Sequence, residues 1–503
     1  MKESAILLLP IFLPIVMGLA VLVLPVFRNR RLTVGFTAAG LFLTAVSVFA
    51  VIFGQADTCT LFALTETLPV FFHIDAVGRL FAGIGTVIWC CCGVFAFSYM
   101  EHEREEKRYY GFYLIVYGVL TALDFTGNLI TFYMFYEMIT LLTMPLVLHT
   151  RTREAVMAGL KYLFYSFCGA YMVLYGIYIL HGYTDTLAFT EGGIVNSVTV
   201  QGREPFLLFV AFLMIMGFGV KAGLFPFHGW LPAAHPVAPA PASAVLSGMI
   251  VKCGVLGLIR TVYYVFGAAF IRHTWVQTAW IILALFTVFM GSMLACREKV
   301  LKRRLAYSTV SQVSYIQFGL ALLHPVGFTG ALLHTVFHAV MKSGLFLCAG
   351  AVIRKTEKTN TDELRGIGRE MPVTIWCYTF FSLSMIGIPP ACGYVSKLYL
   401  ATGAMQMQGG ASGLSAVIFW LGPVVLLVSA LLTAYYLLPV TIHGFFPGEG
   451  FTGRQQGNIK ADAVMLAPLI ILAVLAIGMG MFPAGLTDYI TSIASAVARA
   501  FVR

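Results

Sequence analysis

Phe206-Leu-Leu-Phe-Val-Ala-Phe-Leu-Met-Ile-Met-Gly-Phe-Gly-Val-Lys221 is an apolar run that ends on a lysine. It continues as Ala222-Gly-Leu-Phe-Pro-Phe-His-Gly-Trp-Leu-Pro-Ala-Ala-His-Pro-Val-Ala-Pro-Ala-Pro-Ala-Ser243. The first part is apolar all round, with no alternation, so it reads as a helix buried in protein or lipid. The second holds five prolines between positions 226 and 241, which one regular helix cannot accommodate. Backbone that leaves the helix at membrane depth is tolerated only where it is buried in protein or lines a cavity. The stretch therefore predicts a membrane-spanning helix, broken beside an intramembrane cation.

The rest of the chain repeats the first half of that pattern. Of 503 residues, 59% are hydrophobic and 11% charged, against about a quarter charged in soluble domains. So few charges could not cover the surfaces of a soluble chain of this length, and the aromatic content excludes disorder. A spanning helix needs about 20 apolar residues. Fourteen segments qualify: 4–26, 32–53, 77–98, 110–123, 125–149, 158–181, 206–227, 238–262, 275–295, 302–323, 327–353, 373–404, 414–440 and 463–483. The fold class is an all-α, polytopic membrane protein of about 14 transmembrane helices, with helices 7 and 12 broken. β-barrel strands would alternate every second residue, and these runs do not. The run 5–26 is read as the first helix rather than a cleaved signal peptide.

Basic residues orient this bundle. Twenty of the 32 fall in one set of alternate loops: Arg28, Arg30, Arg31; Arg104, Lys107, Arg108; Arg151, Arg153; Arg297, Lys299, Lys302, Arg303, Arg304; Arg354, Lys355, Lys358, Arg365, Arg369; and Arg454, Lys460. The opposite side holds Lys2, Arg203, Arg260, Arg272, Arg499 and Arg503. The positive-inside rule makes the first side cytoplasmic and both termini non-cytoplasmic. No soluble basic domain stands out as a nucleic-acid footprint.

A small remainder of charge lies inside the spans, where it is costly and usually functional. It comprises Lys161, Lys221, Lys252, Lys342 and Lys397, with Arg79 near an edge and Glu137 alone deep in Phe132-Tyr-Met-Phe-Tyr-Glu137-Met-Ile-Thr-Leu-Leu. Asp124 is placed nearer an outer edge. One carboxylate cannot neutralise five lysines, and a lysine that exchanges between charged and neutral forms carries a proton. Snorkelling to an interface is the rival reading for Lys161 and Lys342, which sit towards helix ends. His334, His338 and Lys342 recur every fourth residue and share one helix face, where short proton hops are feasible. A metal or haem ligand pair is the rival there, but no carboxylate or cysteine is placed to complete it.

The ten cysteines lie mostly within spans, without C-x-x-C spacing, and read as small buried hydrophobes. No phosphate-binding loop, dinucleotide glycine pattern or serine elbow stands in a strand–turn–helix setting. No cofactor and no metal is expected. A second break, Gly387-Ile-Pro-Pro-Ala-Cys-Gly-Tyr-Val-Ser-Lys397, mirrors the first. The first break follows its lysine and the second precedes it. Spans 4–8 and 9–13 each contain one break, and five spans is an odd number, so the two units are inverted repeats. The expected organisation is helices 1–3 (1–109), a first repeat (110–262), a second (275–440) and a C-terminal helix 14 (463–503).

These motifs resemble the proton-pumping antiporter-like family, shared by complex I membrane subunits, the A and D subunits of Mrp sodium/proton antiporters and their counterparts in membrane-bound hydrogenases. The match runs in order through Tyr136-Glu137, Lys161-Tyr162, Lys221-Ala-Gly-Leu-Phe-Pro-Phe-His-Gly-Trp-Leu-Pro and Ser247-Gly-Met-Ile-Val-Lys252. It continues with Lys302-Arg-Arg-Leu-Ala-Tyr-Ser-Thr-Val-Ser-Gln, His334-Thr-Val-Phe-His338-Ala-Val-Met-Lys342 and Gly387–Lys397, over roughly residues 75–440. Lysine at 397, where some members carry glutamate, is closest in pattern to the Mrp D type.

The resemblance implies a proton- or sodium/proton-translocating subunit of a multisubunit antiporter, dehydrogenase or hydrogenase complex in a bacterial or archaeal cytoplasmic membrane. Glu137 and Lys221 would form an ion pair, Lys252 the central carrier, and His334, His338 and Lys342 a bridge to Lys397. Its partners would be other membrane subunits, with no redox centre of its own. The competing readings are an inert membrane anchor of a redox complex, a solute transporter of another fold and a membrane-embedded enzyme.

Overall fold

A computed structural model describes residues 5–54, 57–65, 68–195, 200–408, 414–448 and 462–498. Lys2, Arg454, Lys460, Arg499 and Arg503 of the charge count, and both chain ends, lie outside them. The helices are α1 (Leu9–Val23), α2 (Arg30–Phe53), α3 (Ala76–Tyr99), α4 (Glu106–Asp124), α5 (Leu129–Val147), α6 (Arg153–His181) and α7 (Glu204–Lys221). A short α8 (Leu231–Val237) precedes α9 (Ala240–Phe266), α10 (Trp275–Arg297), α11 (Leu301–Ala321) and α12 (Pro325–Thr356). The chain closes with α13 (Pro372–Ile386), α14 (Cys392–Gln408), α15 (Leu414–Phe445), α16 (Ala463–Met481) and α17 (Ala484–Ala498). Among the described residues eleven helices are long and apolar enough to cross a membrane.

Local chemistry sets several starts. Asn29, Asp75, Asn128, Thr152 and Asp462 each accept a backbone N–H of the following first turn, satisfying donors that lipid cannot. α9 is buried throughout and α12 along nearly its whole length. The outer helices α1, α2, α6, α15 and α16 bury less than half of their surface and present residues such as Phe42, Tyr171 and Leu431 outward, as lipid-facing helices do.

The loops tie together on two faces. On one, Arg30 pairs with Glu106 at 3.2 Å, Lys107 donates to the Leu24 carbonyl, Arg108 to that of His149 and Arg354 to that of Tyr99. Leu301 N bonds Thr359 O there, and Gly366 N bonds His443 O. This is the face that carries the basic loops. The other is closed by an antiparallel hairpin, β1 (Thr58–Thr65) and β2 (Leu68–His73), in a region that hydropathy marks only as a connection between spans. His73 N bonds Phe125 O, Leu129 N bonds Leu187 O and Ile194 N bonds Val265 O on that face. The C-terminal region, expected as one helix, is two: Pro483 separates α16 from the amphipathic α17.

Both expected breaks are present. α7 stops at Lys221, and the chain turns through Gly223 with φ +72° before α8. α13 stops at Ile386, turns through Gly387 with φ +95° and resumes as α14 at Cys392. Only glycine adopts such backbone without cost.

Candidate functional site

Ending a helix inside a bundle strands its last carbonyls, and side chains take them up here. Trp230 Nε1 donates to Val220 O at 2.9 Å and Gln317 Nε2 to Ala222 O at 3.2 Å, closing α7. Lys397 Nζ donates to Met385 O at 2.7 Å and Ile386 O at 2.9 Å, closing α13. A cation at a helix C-terminus also meets the negative end of its dipole.

The expected site residues form a row through the centre. Lys221 is fully buried and donates to Tyr136 O at 3.0 Å and Thr140 Oγ1 at 2.7 Å, with its ammonium 3.7 Å from the Tyr136 ring centroid. α9 widens into a π turn over Leu246–Ile250, a distortion frequent at functional sites. Lys252 follows it and donates to Ser247 O at 2.7 Å. Its Nζ also lies 2.6 Å from His338 Nδ1. Two full cations at that separation would repel strongly in a dry interior, so the pair carries at most one positive charge.

His338 and His334 follow each other along α12 with ring centroids 6.0 Å apart. His334 reaches Ser396 Oγ through Nδ1 at 2.9 Å and Gln312 Oε1 through Nε2 at 3.2 Å. Ser396 precedes Lys397 in sequence, so the row passes from α9 through α12 to α14. Lys342 is fully buried and donates to Ser308 Oγ at 2.7 Å. Among the described residues His338 Nε2 and Gln312 Nε2 are buried and have no hydrogen-bond partner.

Some placements differ from expectation. Glu137 and Lys221 are not in direct contact: the five ion pairs of the described residues do not include them, and buried Glu137 Oε1 has no hydrogen-bond partner. Lys221 spends its donors on a carbonyl and a hydroxyl instead. Snorkelling fails for Lys342, which is enclosed, whereas Lys161 is exposed at the rim of a crevice of about 950 Å³. Asp124, expected nearer an outer edge, is the last residue of α4 and is 1% exposed.

Three cations assigned to loops are buried. Arg260 forms a two-pronged pair with Asp75, at 2.5 and 2.8 Å. Lys302 donates to Pro236 O and Ala238 O, the carbonyls left by the end of α8. Arg304 donates to Glu298 O at 2.8 Å and Tyr436 O at 3.0 Å. The proline-rich stretch was a signal for Lys302, since broken carbonyls need a donor. Nothing local announced Arg260, whose partner lies 185 residues away. Among the described residues no three His, Cys, Asp or Glu side chains stand together to hold a metal ion.

Residues 126–422 match the family model described as "NADH:quinone oxidoreductase/Mrp antiporter, TM", a span that contains Glu137, Lys221, Lys252, His334, His338, Lys342 and Lys397. The chain belongs to this antiporter family. Among its relatives, the NADH-quinone oxidoreductase subunit N of Desulforudis audaxviator is 31% identical over 402 residues, 77% of each chain. The D-type subunit of the Na(+)/H(+) antiporter of Alkalihalophilus pseudofirmus is 26% identical over 497 residues, covering 97% of this chain and 96% of the relative. A chain of the membrane-bound sulfane sulfur reductase, an archaeal respiratory membrane complex, superposes with a TM-score of 0.84 at 23% identity over 99% of both chains. The antiporter-family fold therefore covers nearly the whole chain.

Proposed function

We propose that this antiporter-family chain moves protons, or sodium against protons, within a multisubunit complex of a bacterial or archaeal cytoplasmic membrane. Its partners are other membrane subunits. The basic-loop face is cytoplasmic and the chain crosses the bilayer fourteen times. α4 to α9 (110–262) and α10 to α15 (275–440) form two inverted repeats, flanked by helices 1–3 (1–109) and the C-terminal region (463–503). The 2.6 Å contact between Lys252 and His338 carries the reading. It joins the lysine of one half to the histidine row of the other through groups that exchange protons near neutral pH.

A proton enters at Lys221, tuned by the nearby Glu137 charge, and passes to Lys252. From there it moves along His338 and His334 to Lys397, whose ammonium rests on the α13 carbonyls, with Lys342 one turn from His338. The reading is tested by rebuilding the complete complex in vesicles with Lys252→Met, which keeps chain length and removes the proton site. Loss of the pH gradient and of sodium flux, with assembly intact, is expected. Wild-type translocation by that variant overturns it.

A further inference from the structure

Among the described residues Lys342 has no carboxylate and no backbone carbonyl within hydrogen-bonding distance; the partner of its ammonium is Ser308 Oγ at 2.7 Å. The same Ser308 Oγ accepts a hydrogen bond from the Tyr436 hydroxyl, also at 2.7 Å. Tyr436 stands on α15, with Thr433 Oγ1 3.3 Å from its hydroxyl. It forms the inner wall of a cavity of about 260 Å³. The outer part of that cavity is built from Asp362 and Tyr435, both exposed, and from Arg304, His443 and Cys296. Its mouth lies on the basic-loop face, beside the surface pair of Asp362 with Lys299. Arg304 fixes the wall by bonding the Tyr436 carbonyl.

We propose that Tyr436 and Ser308 form a proton-access relay from this cavity to Lys342, a second doorway onto the axis separate from Lys221. The proposal rests on the translocation reading. With Lys342 neutral, the Ser308 hydroxyl donates to its lone pair and the Tyr436 hydroxyl donates to Ser308 Oγ. A hydronium in the cavity gives a proton to the Tyr436 oxygen. The Tyr436 proton shifts to Ser308, and the Ser308 proton to Lys342 Nζ. Three bonds to hydrogen form and three break, with one proton moved inward and one water released. The ammonium then donates to Ser308 Oγ, and rotation of the two hydroxyls restores the Tyr436-to-Ser308 hydrogen bond described above. From Lys342 the next stop is His338, one turn earlier on α12.

Both hydroxyls are removable without changing shape much. In the complete complex, reconstituted in vesicles, Tyr436→Phe and Ser308→Ala are each expected to slow acidification roughly a hundredfold, the lower end for a positioned proton-transfer group. The double variant should be no slower than the slower single, because both groups lie on one path. Co-purification of partner subunits checks assembly, and if one single variant fails to assemble the other decides. In a Cys296→Ala background, Asp362→Cys treated with a membrane-impermeant thiol reagent should slow on the basic-loop side only, against the same variant untreated. A merely structural role for Tyr436 would give no such sidedness. Lys342→Met separates the two ideas. If it is inactive while Tyr436→Phe runs at the wild-type rate, the relay is overturned and translocation stands. If Lys342→Met and Lys252→Met both run at the wild-type rate, the translocation reading falls with it.

Discussion

The Asp75–Arg260 pair offers the sharpest test of how the interior tolerates charge. Arg260 is 1% exposed, with its guanidinium 4.7 and 4.8 Å from the Phe189 and Tyr264 rings. Asp75 gives it both carboxylate oxygens, and one of these also accepts Gly78 N at 2.8 Å to cap α3. Removing one partner of a buried pair costs about 3–5 kcal/mol, and losing an N-cap about 1 kcal/mol more. Asp75→Ala should therefore destabilise by roughly 4–6 kcal/mol. Asp75→Asn, which keeps a capping oxygen, should lose about 1 kcal/mol less. Replacing a whole buried pair by apolar groups is often neutral. Asp75→Ala with Arg260→Met should thus recover to within about 2 kcal/mol of wild type, the remainder being the cap and the loss of a cation near buried Asp124. Scaled inversely with chain length, the single Ala variant lowers the melting temperature by roughly 4–6 °C. Thermal unfolding of the purified complex reads this order. A double variant that melts with Asp75→Ala would refute the view that the stranded guanidinium is the source of the cost.

Three further outcomes follow from the same physics. Burial, with Arg108 beside it, pushes the His149 imidazole in the α5–α6 connection down to about 4; because its folded pKa is depressed, protonation favours unfolding, so stability present above the ordinary His range declines by up to about 3 kcal/mol as pH falls towards 4. His149→Gln should flatten that slope in melting curves taken across the range. A Cβ on Gly393 would collide with the Ser384 carbonyl oxygen, backbone against backbone, so Gly393→Ala should force α13 and α14 apart and lower expression, while Gly478→Ala, with open space around it, should not. Gln317→Leu leaves the Ala222 carbonyl at the end of α7 unpaired and should cost about 1–3 kcal/mol, read as a lower melting temperature.

What the sequence made legible was periodic or punctuated. Apolar runs set the helices, and glycine and proline marked both breaks. The spacing of His334, His338 and Lys342 fixed a shared face by periodicity alone. What it hid were side chains whose surroundings come from distant segments. Asp124 ends α4 ahead of the turn Phe125-Thr-Gly-Asn128, and its burial was not visible in the sequence. Its burial comes from the hairpin bonding that turn and from Gly78 of α3 lying against its carbonyl. Arg260 looked like a loop cation because the apolar run fades there, yet α9 continues as a π turn to Phe266. Lys302 and Arg304 looked like part of a basic loop, since the carbonyls that hold them belong to α8, α15 and the turn before α11.

The count of five intramembrane lysines against one carboxylate resolves once those carbonyls are visible. Lys221 rests on Tyr136 O, Lys252 on Ser247 O, and Lys397 on Met385 O and Ile386 O. Lys302, outside that count, follows the same rule at the end of α8. Backbone carbonyls are fixed dipoles, acceptors without a titratable proton, so they steady an ammonium without removing its ability to lose one. A carboxylate in direct contact would bind the charge more tightly and slow its departure. At Lys397 and Lys302 the helix ends therefore do more than open space: they supply acceptors that a continuous helix keeps for itself, whereas Lys221 takes its carbonyl from within α5. Lys342 is the exception among the fully buried lysines, since it sits mid-helix on α12 where every carbonyl is engaged, and a hydroxyl takes the place of a broken helix end. A hydroxyl, unlike a carbonyl, can also hand over a proton, and the one at Lys342 is joined through Tyr436 to the cavity on the basic-loop face, which is why access is expected at this lysine.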